Sequence, residues 1–446
     1  MEKSAAPRAP EPIDAATLIA DPYAALARLR EAGPVHRVRH PDGRTAWLVT
    51  RYDDVRQALA DPRLALDRRH ALPGNYQGFS LPPALDANLL NMDPPDHTRV
   101  RRMVVKAFTT GRVEAMREPV RRLADELLDG IAADGGGDLI ARYAAPLPIT
   151  VISDLLGVPR RDRPDFRAWT DAMITPDPQR PEETREAVGR MLRFYTGLIA
   201  TKRADPGDDL LSALIAVRDD PSAAAADPAG PGPSGSSGPD GRPGPADPGP
   251  GPDGRPGPAG PPPAGGDRLT EDELTSLAFL ILFAGYENTV HLIGNAVLAL
   301  LDRPDLLRRL RDEPERVAAA VDEFARHDGP APLAIRRFPR EDVAIGGVTV
   351  PAGETVLLSL ASANRDPRRF PEADRLDPFR GHSGHLALGH GIHYCLGAPL
   401  ARMETEIALT ALLERLPGLA LAVPRDELRW RPSIRARGLI SLPVIC

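Results

Sequence analysis

Leu388–Arg402 reads LGHGIHYCLGAPLAR, and the fold turns on how this stretch is understood. One cysteine, Cys395, stands between two glycine-rich turns and directly before an apolar run with helical spacing. Gly389, Gly391 and Gly397 let the backbone turn tightly and approach a flat partner closely. The free amides at the start of the following helix favour a thiolate at Cys395. These residue types make a metal-ligand environment, and the residues alone leave three readings open: a buried structural cysteine, a thiolate ligand beside a flat partner, or a zinc site built from His390, His393 and Cys395. The zinc reading lacks a second ligand pair at finger-like spacing, because the other cysteine, Cys446, is the last residue.

Working outward, 42% hydrophobic and 26% charged residues among 446 suit a soluble globular protein and exclude a fibrous or wholly disordered one. A net charge of -6 gives no electrostatic case for nucleic acid as partner. Only Lys3, Lys106 and Lys202 are lysines among 56 basic residues, a bias expected of a GC-rich genome. Two cysteines cannot make a disulfide framework, which fits a reducing compartment. Met1–Asp14 holds no apolar signal-peptide core, and no uninterrupted run of 18 apolar residues occurs. The expectation is a cytoplasmic protein without a membrane partner.

The 50 prolines and 39 glycines concentrate between Asp219 and Gly266. That stretch has almost no large apolar side chain and repeats GPDGRPGPA at 238–246 and 251–259. Its glycine triplets change phase between the copies, so a collagen helix is excluded and a disordered insertion is expected. Before it, apolar residues at three and four spacing predict helices through 23–29, 55–59, 113–131 and 191–199, with strands at 35–38 and 46–49. After it, Thr270 caps a helix to about Leu301, and 306–326 reads as another. Short strands follow at 343–345, 348–350 and 356–358, then a helix over 396–416. Amphipathic flanks on both sides of the insertion predict one domain made of 1–218 and 267–446.

Three further patterns bear on chemistry. His97 and Arg101 lie at i, i+4 behind Pro94 and Pro95, so two donors share a helix face that suits a carboxylate. Glu323 and Arg326 lie at i, i+3, where carboxylate and guanidinium can pair. Ala284-Gly285-Tyr286-Glu287-Asn288-Thr289 puts a glycine inside a helix at a cost of about 1 kcal/mol relative to alanine, which asks for a reason.

Together these segments resemble the cytochrome P450 family, whose cysteine loop follows Phe-Gly-x-Gly-x-His-x-Cys-x-Gly. Gly389, Gly391, His393, Cys395 and Gly397 match, and Leu388 replaces the aromatic residue. The resemblance implies a mainly α fold with a small β-sheet region and haem b held by Cys395 as axial iron ligand. It also implies propionate contacts from His97, Arg101, Arg337 and His393, and a structural trio of Glu323, Arg326 and Arg375. In the long helix it implies an oxygen groove at Ala284 and Gly285 with an acid at Glu287. The family's alcohol position holds Asn288, and Thr289 comes one residue late, about 100° around the helix.

The implied activity is insertion of one oxygen atom from O2 into a C–H bond of a bulky, mostly apolar molecule such as a polyketide or macrolide. Leu66–Leu90, Phe283–Glu287, Pro332–Ile335 and Ser433–Ala436 are the expected pocket walls. Electrons are expected from a ferredoxin and its reductase, docking on Arg99, Arg102, Lys106 and Arg402, and the enzyme is expected to be a monomer. Other oxidations on the same scaffold, or a haem protein without turnover, are the alternatives.

Overall fold

The computed structural model describes residues 11–12, 22–39, 44–75, 82–174, 180–219, 268–381 and 384–446. The Pro/Gly-rich insertion expected at 219–266 lies outside the described residues except for Asp219, and so does Leu81 of the expected pocket wall.

The longer helices in chain order are α1 Pro22–Ala32, α2 Tyr52–Ala60, α3 Asp96–Ala107, α4 Arg117–Ala133, α5 Pro146–Leu155, α6 Arg163–Ile174 and α7 Pro181–Ala204. They continue with α8 Leu210–Asp219, α9 Glu271–Leu301, α10 Pro304–Asp312, α11 Val317–Asp328 and α12 Ala398–Arg415. Two runs expected to be continuous are broken. The 113–131 pattern divides at Met116, because a separate short helix over Thr110–Ala115 is capped by the Thr109 hydroxyl. The 306–326 pattern divides after Asp312, where Pro314 cannot donate the amide that would continue the helix.

Thr270 starts α9 as expected and does so with a full capping box. Its hydroxyl accepts from the Glu273 amide at 3.1 Å, and the Glu273 carboxylate accepts from the Thr270 amide at 2.8 Å. By length and composition α9 could cross a membrane, yet 61% of its most apolar window is buried within the protein. It is a core helix, apolar around most of its circumference because neighbours pack on it from several sides.

The β structure is peripheral. β1 Glu11–Pro12, β2 Val35–Arg39, β3 Thr45–Val49 and β9 Val356–Leu358 form one sheet in that order, and the β3–β9 pair is parallel. β4 Leu64–Ala65 pairs with β6 Phe338–Pro339, and β5 Gly136–Asp138 pairs with β11 Pro443–Ile445, which also pairs with β10 Ala420–Leu421. The hairpin of β7 Val343–Ile345 and β8 Val348–Val350 closes on Gly346 and Gly347, both at positive φ (55° and 82°), as a two-residue turn of this twist requires. The largest apolar cluster runs from Leu85 to Val444, drawing on α3 to α8 before residue 220 and on α9 to α12 after residue 267.

Candidate active site

Cys395 sits in the turn that leads into α12. Gly389 and Gly391 take φ of 77° and 73°, in the left-handed region that favours glycine. A Cβ on Gly391 would lie 3.3 Å from Ala60 Cα, so the loop also needs a bare backbone where it crosses α2. The Cys395 amide donates to the Leu388 carbonyl at 2.9 Å, closing the loop. Burial pushes the Cys395 thiol up, and it is opposed by the Gly397 amide, Arg101 and Arg402. Helix-end amides therefore favour the thiolate as expected, but burial outweighs them in the free thiol. Among the described residues no group of three or more His, Cys, Asp and Glu is arranged to hold a metal ion, so the zinc reading finds no support.

Beside this loop two arginines and two histidines converge from three parts of the chain. His97 and Arg101 come from α3, Arg337 from the strand-side segment before β6, and His393 from the loop itself. The rings of His97 and His393 lie 4.1 Å apart. Arg101 Nη2 donates to the Tyr394 carbonyl at 2.6 Å, and Arg337, 3% exposed, donates to the Ile335 carbonyl at 2.7 Å.

His97 is 1% exposed, with both ring nitrogens buried and unpartnered among the described residues. Burial first, then Arg101 and Arg337, push His97 down to about 4, and burial, His97, Arg337 and Arg101 push His393 down to about 3. Burial lowers Arg337 to about 10. Asp93 is the nearest opposing charge, and its carboxylate is already accepting from the Leu66 and Asp67 amides. The Arg101 and Arg337 guanidinium groups, beside two imidazoles whose charged forms burial disfavours and with Asp93 already engaged, fit the two carboxylates of a haem.

The Glu323–Arg326 pair is buried and bidentate: Arg326 Nε and Nη2 reach the two carboxylate oxygens at 2.7 and 2.8 Å. Arg326 Nη1 also donates to the carbonyls of Asn364 and Ala373, and the Asp377 amide donates to Glu323 Oε1 at 2.9 Å. The third member differs from expectation. Arg375 turns outward and pairs with Glu372, both largely exposed, and gives the cluster only its carbonyl. Arg380, five residues on, returns to Glu323 at 3.4 Å, because the turn at 371–377 brings the next stretch of coil back beneath α11.

On α9, Ala284 and Asn288 are exposed one turn apart on an otherwise buried helix, with Glu287 between their face and the core. Gly285 does not share that face: an added Cβ would meet Ile152 of α5 at 2.9 Å, so the glycine serves close helix packing. Thr289 is 4% exposed and its hydroxyl donates back to the Gly285 carbonyl at 3.2 Å. His291, absent from the sequence-derived set, places Nε2 3.4 Å from Glu287 Oε1. Its i, i+4 spacing from Glu287 was the available signal. Two other expectations also change. Leu66, Leu85 and Leu89 are fully packed in the interior and offer no free wall. Arg99 is buried against Glu273 and the Arg268 carbonyl, away from any docking face.

A sequence profile described as Cytochrome P450 matches residues 263–418. The cytochrome P450 monooxygenase PikC of Streptomyces venezuelae is 44% identical over 427 residues, covering 95% of this chain and 91% of its own. The 6-deoxyerythronolide B hydroxylase of Saccharopolyspora erythraea is 40% identical over 432 residues, covering 95% and 96%. The structure of the tirandamycin C-bound P450 monooxygenase TamI has a TM-score of 0.81 at 38% identity, across 98% of this chain and 100% of that one. Such identity over nearly the whole length carries both architecture and reaction class, and the helix-dominated fold with its small sheets is theirs. The chain belongs to the cytochrome P450 family and is a haem-dependent monooxygenase that uses O2, a small-molecule substrate and external redox partners.

Proposed function

We propose that Cys395 is the axial thiolate of haem b, and that His97, Arg101, Arg337 and His393 hold its two propionates. The observation that carries this reading is the pair of guanidinium groups, Arg101 and Arg337, beside the unpartnered His97 ring and His393, next to the loop that holds Cys395. Bound there, a thiolate-ligated haem supplies O2 activation, so that one oxygen atom enters a C–H bond and the other leaves as water. The chain's own residues do the rest. Glu287 supplies protons at the face of α9 bearing Ala284 and Asn288, where the Asn288 amide holds water in place of the family's hydroxyl. Thr289, its hydroxyl tied to the helix, stays outside this path. Glu323, Arg326 and Arg380 hold the coil that supports the cysteine loop.

The test is the carbonyl complex of the reduced enzyme. Its strongly red-shifted band is expected in the wild type and in Cys446→Ser and lost in Cys395→Ser; loss in Cys446→Ser with retention in Cys395→Ser would reverse the assignment.

The substrate class proposed is a bulky, mostly apolar polyketide or macrolide with one polar handle. A relative named for 6-deoxyerythronolide B and a neighbour that holds tirandamycin C support it, as does the exposed Arg435 within the Ser433–Ala436 stretch. Haem spin-state titration with such compounds checks it.

A ferredoxin fed by its reductase is the proposed electron donor, docking near Tyr394, whose carbonyl accepts from Arg101 of α3 and whose hydroxyl accepts from Arg402 at 3.2 Å, with Arg102 and Lys106 exposed on the same helix as Arg101. The enzyme is proposed to be cytoplasmic and monomeric, with 219–266 an insertion in one catalytic domain. Deleting Pro221–Ala264 should leave haem content and melting nearly unchanged, since loop length changes closure entropy by under about 3 kcal/mol.

A further inference from the structure

Glu287 and His291 face each other across one turn of α9, and both are poorly satisfied. Glu287 Oε1 and both ring nitrogens of His291 are buried, and none makes a hydrogen bond among the described residues. Three unmet polar atoms within one helical turn are more than a folded core ordinarily leaves. The imidazole is 1% exposed, while Glu287 keeps 15% of its side chain exposed; with Oε1 buried, that exposure falls on its other atoms. The carboxyl is thus held with one oxygen inward toward Nε2.

The ring cannot easily leave this place. A Cβ on Gly438 would overlap His291 Nδ1, so the C-terminal segment lies flat against the imidazole. Asn295, one turn further, fixes that segment to α9 by donating to the Arg437 carbonyl at 3.0 Å. On the other side, Asp171 and Arg167 of α6 and Arg431 of the C-terminal segment are the charged neighbours of Glu287 and Tyr286. None of them stands between Oε1 and Nε2.

We propose that His291 is a positioning residue for Glu287: Nε2–H donates to Oε1 and fixes the carboxyl so that its second oxygen serves the face of α9 carrying Ala284 and Asn288. This rests on the reading of Glu287 as proton source. A carboxylate needs a donor, and Nδ1 is turned to a backbone that offers no room for a partner, so the hydrogen sits on Nε2 in either protonation state. No proton leaves His291; it orients the group that gives one. Gly438 belongs to the device, because any side chain there would displace the ring.

The experiment uses the haem-loaded enzyme with 15N-labelled histidine, His291 being identified by the signal that His291→Phe removes. A pyrrole-like Nε2 is expected, and a pyridine-like Nε2 overturns the proposal. Product formed per NADPH consumed should fall about 10-fold in His291→Phe, as for loss of one hydrogen bond to a charged group, with substrate affinity by spin-state titration unchanged. His291→Gln, which keeps an N–H donor, should restore most of it, and Gly438→Ala should resemble His291→Phe. Equal loss in His291→Gln and His291→Phe would reduce the residue to packing and overturn the proposal. Glu287→Gln run in parallel separates the two levels. If Glu287→Gln is impaired while His291→Phe is normal, positioning alone fails; if Glu287→Gln is fully active, the reading of Glu287 fails and positioning with it.

Discussion

Two buried clusters of charged and basic side chains, one around Glu323 and one around His97, are built in opposite ways. Around Glu323 the protein supplies both signs: Arg326 pairs bidentately, Arg380 approaches from the coil, and carbonyls of Asn364 and Ala373 take further donors. Around His97 it supplies two guanidinium groups, Arg101 and Arg337, and the His393 ring, beside an imidazole whose nitrogens have no hydrogen-bond partner among the described residues. Burial is expensive for both. The proposed roles follow from that difference: the cluster that closes on itself is read as support for the fold, and the one that leaves Arg101 and Arg337 without a carboxylate of its own is read as the seat of the haem propionates.

The largest effect should come from breaking the closed cluster. Glu323→Ala or Arg326→Ala strands a buried charge at about 3–5 kcal/mol, and soluble, haem-loaded protein should be lost; near-native melting of either variant would place the pair outside the core support. Arg375→Ala, by contrast, removes an exposed pair worth about 0–1 kcal/mol and should scarcely change melting, while Arg380→Ala should fall between the two.

Next come the open cluster's members. His97→Ala or Arg337→Ala should weaken haem retention, followed by transfer to a haem acceptor, without lowering the melting temperature of the cofactor-free chain, because the first removes two unpartnered buried nitrogens and the second a charge that burial disfavours. If the cofactor-free variants melt lower, the cluster is structural after all.

A smaller effect is tied to pH. His97 sits at about 4 in the folded protein, below the usual imidazole value of 6.5, because burial, Arg101 and Arg337 oppose its charge and Asp93 only partly offsets them. Between those values the unfolded chain binds more protons, so the stability contributed is full above pH 6.5 and is lost as pH falls toward 4. Melting of the cofactor-free chain should decline across that window, and His97→Asn should flatten the decline.

The smallest change is expected at Gly285→Ala. Helix propensity favours alanine by about 1 kcal/mol, the contact with Ile152 Cδ1 opposes it, and Ile152→Val should release the difference in melting.

What could be read from the sequence depended on distance along the chain. His97 with Arg101, and Glu323 with Arg326, share single helices, so spacing alone put each pair on one face. The cysteine loop was legible because its glycines and cysteine act within a few residues of one another. Arg380 was not, because Arg375 and Arg380 lie in one coil and only its folding back under α11 decides which returns to Glu323. The side of α9 on which Gly285 falls depended likewise on α5, more than 130 residues away in sequence. Leu85 and Leu89 were apolar as a pocket wall requires, but apolarity does not distinguish a wall from the core behind it.

The start of α9 carries a consequence for engineering. Glu273 closes the capping box with Thr270 and also pairs with Arg99 of α3, which holds the Arg268 carbonyl as well. The first turn of the helix is thus anchored from within and from the side, by residues at or after position 268 and by a helix that precedes the insertion altogether. With the first turn held at these contacts, a change of length before residue 268 is expected to leave the rotation of α9 as it is. An affinity peptide or a fluorescent reporter introduced between residues 219 and 268 is therefore expected to leave haem content and melting as they are in the parent chain.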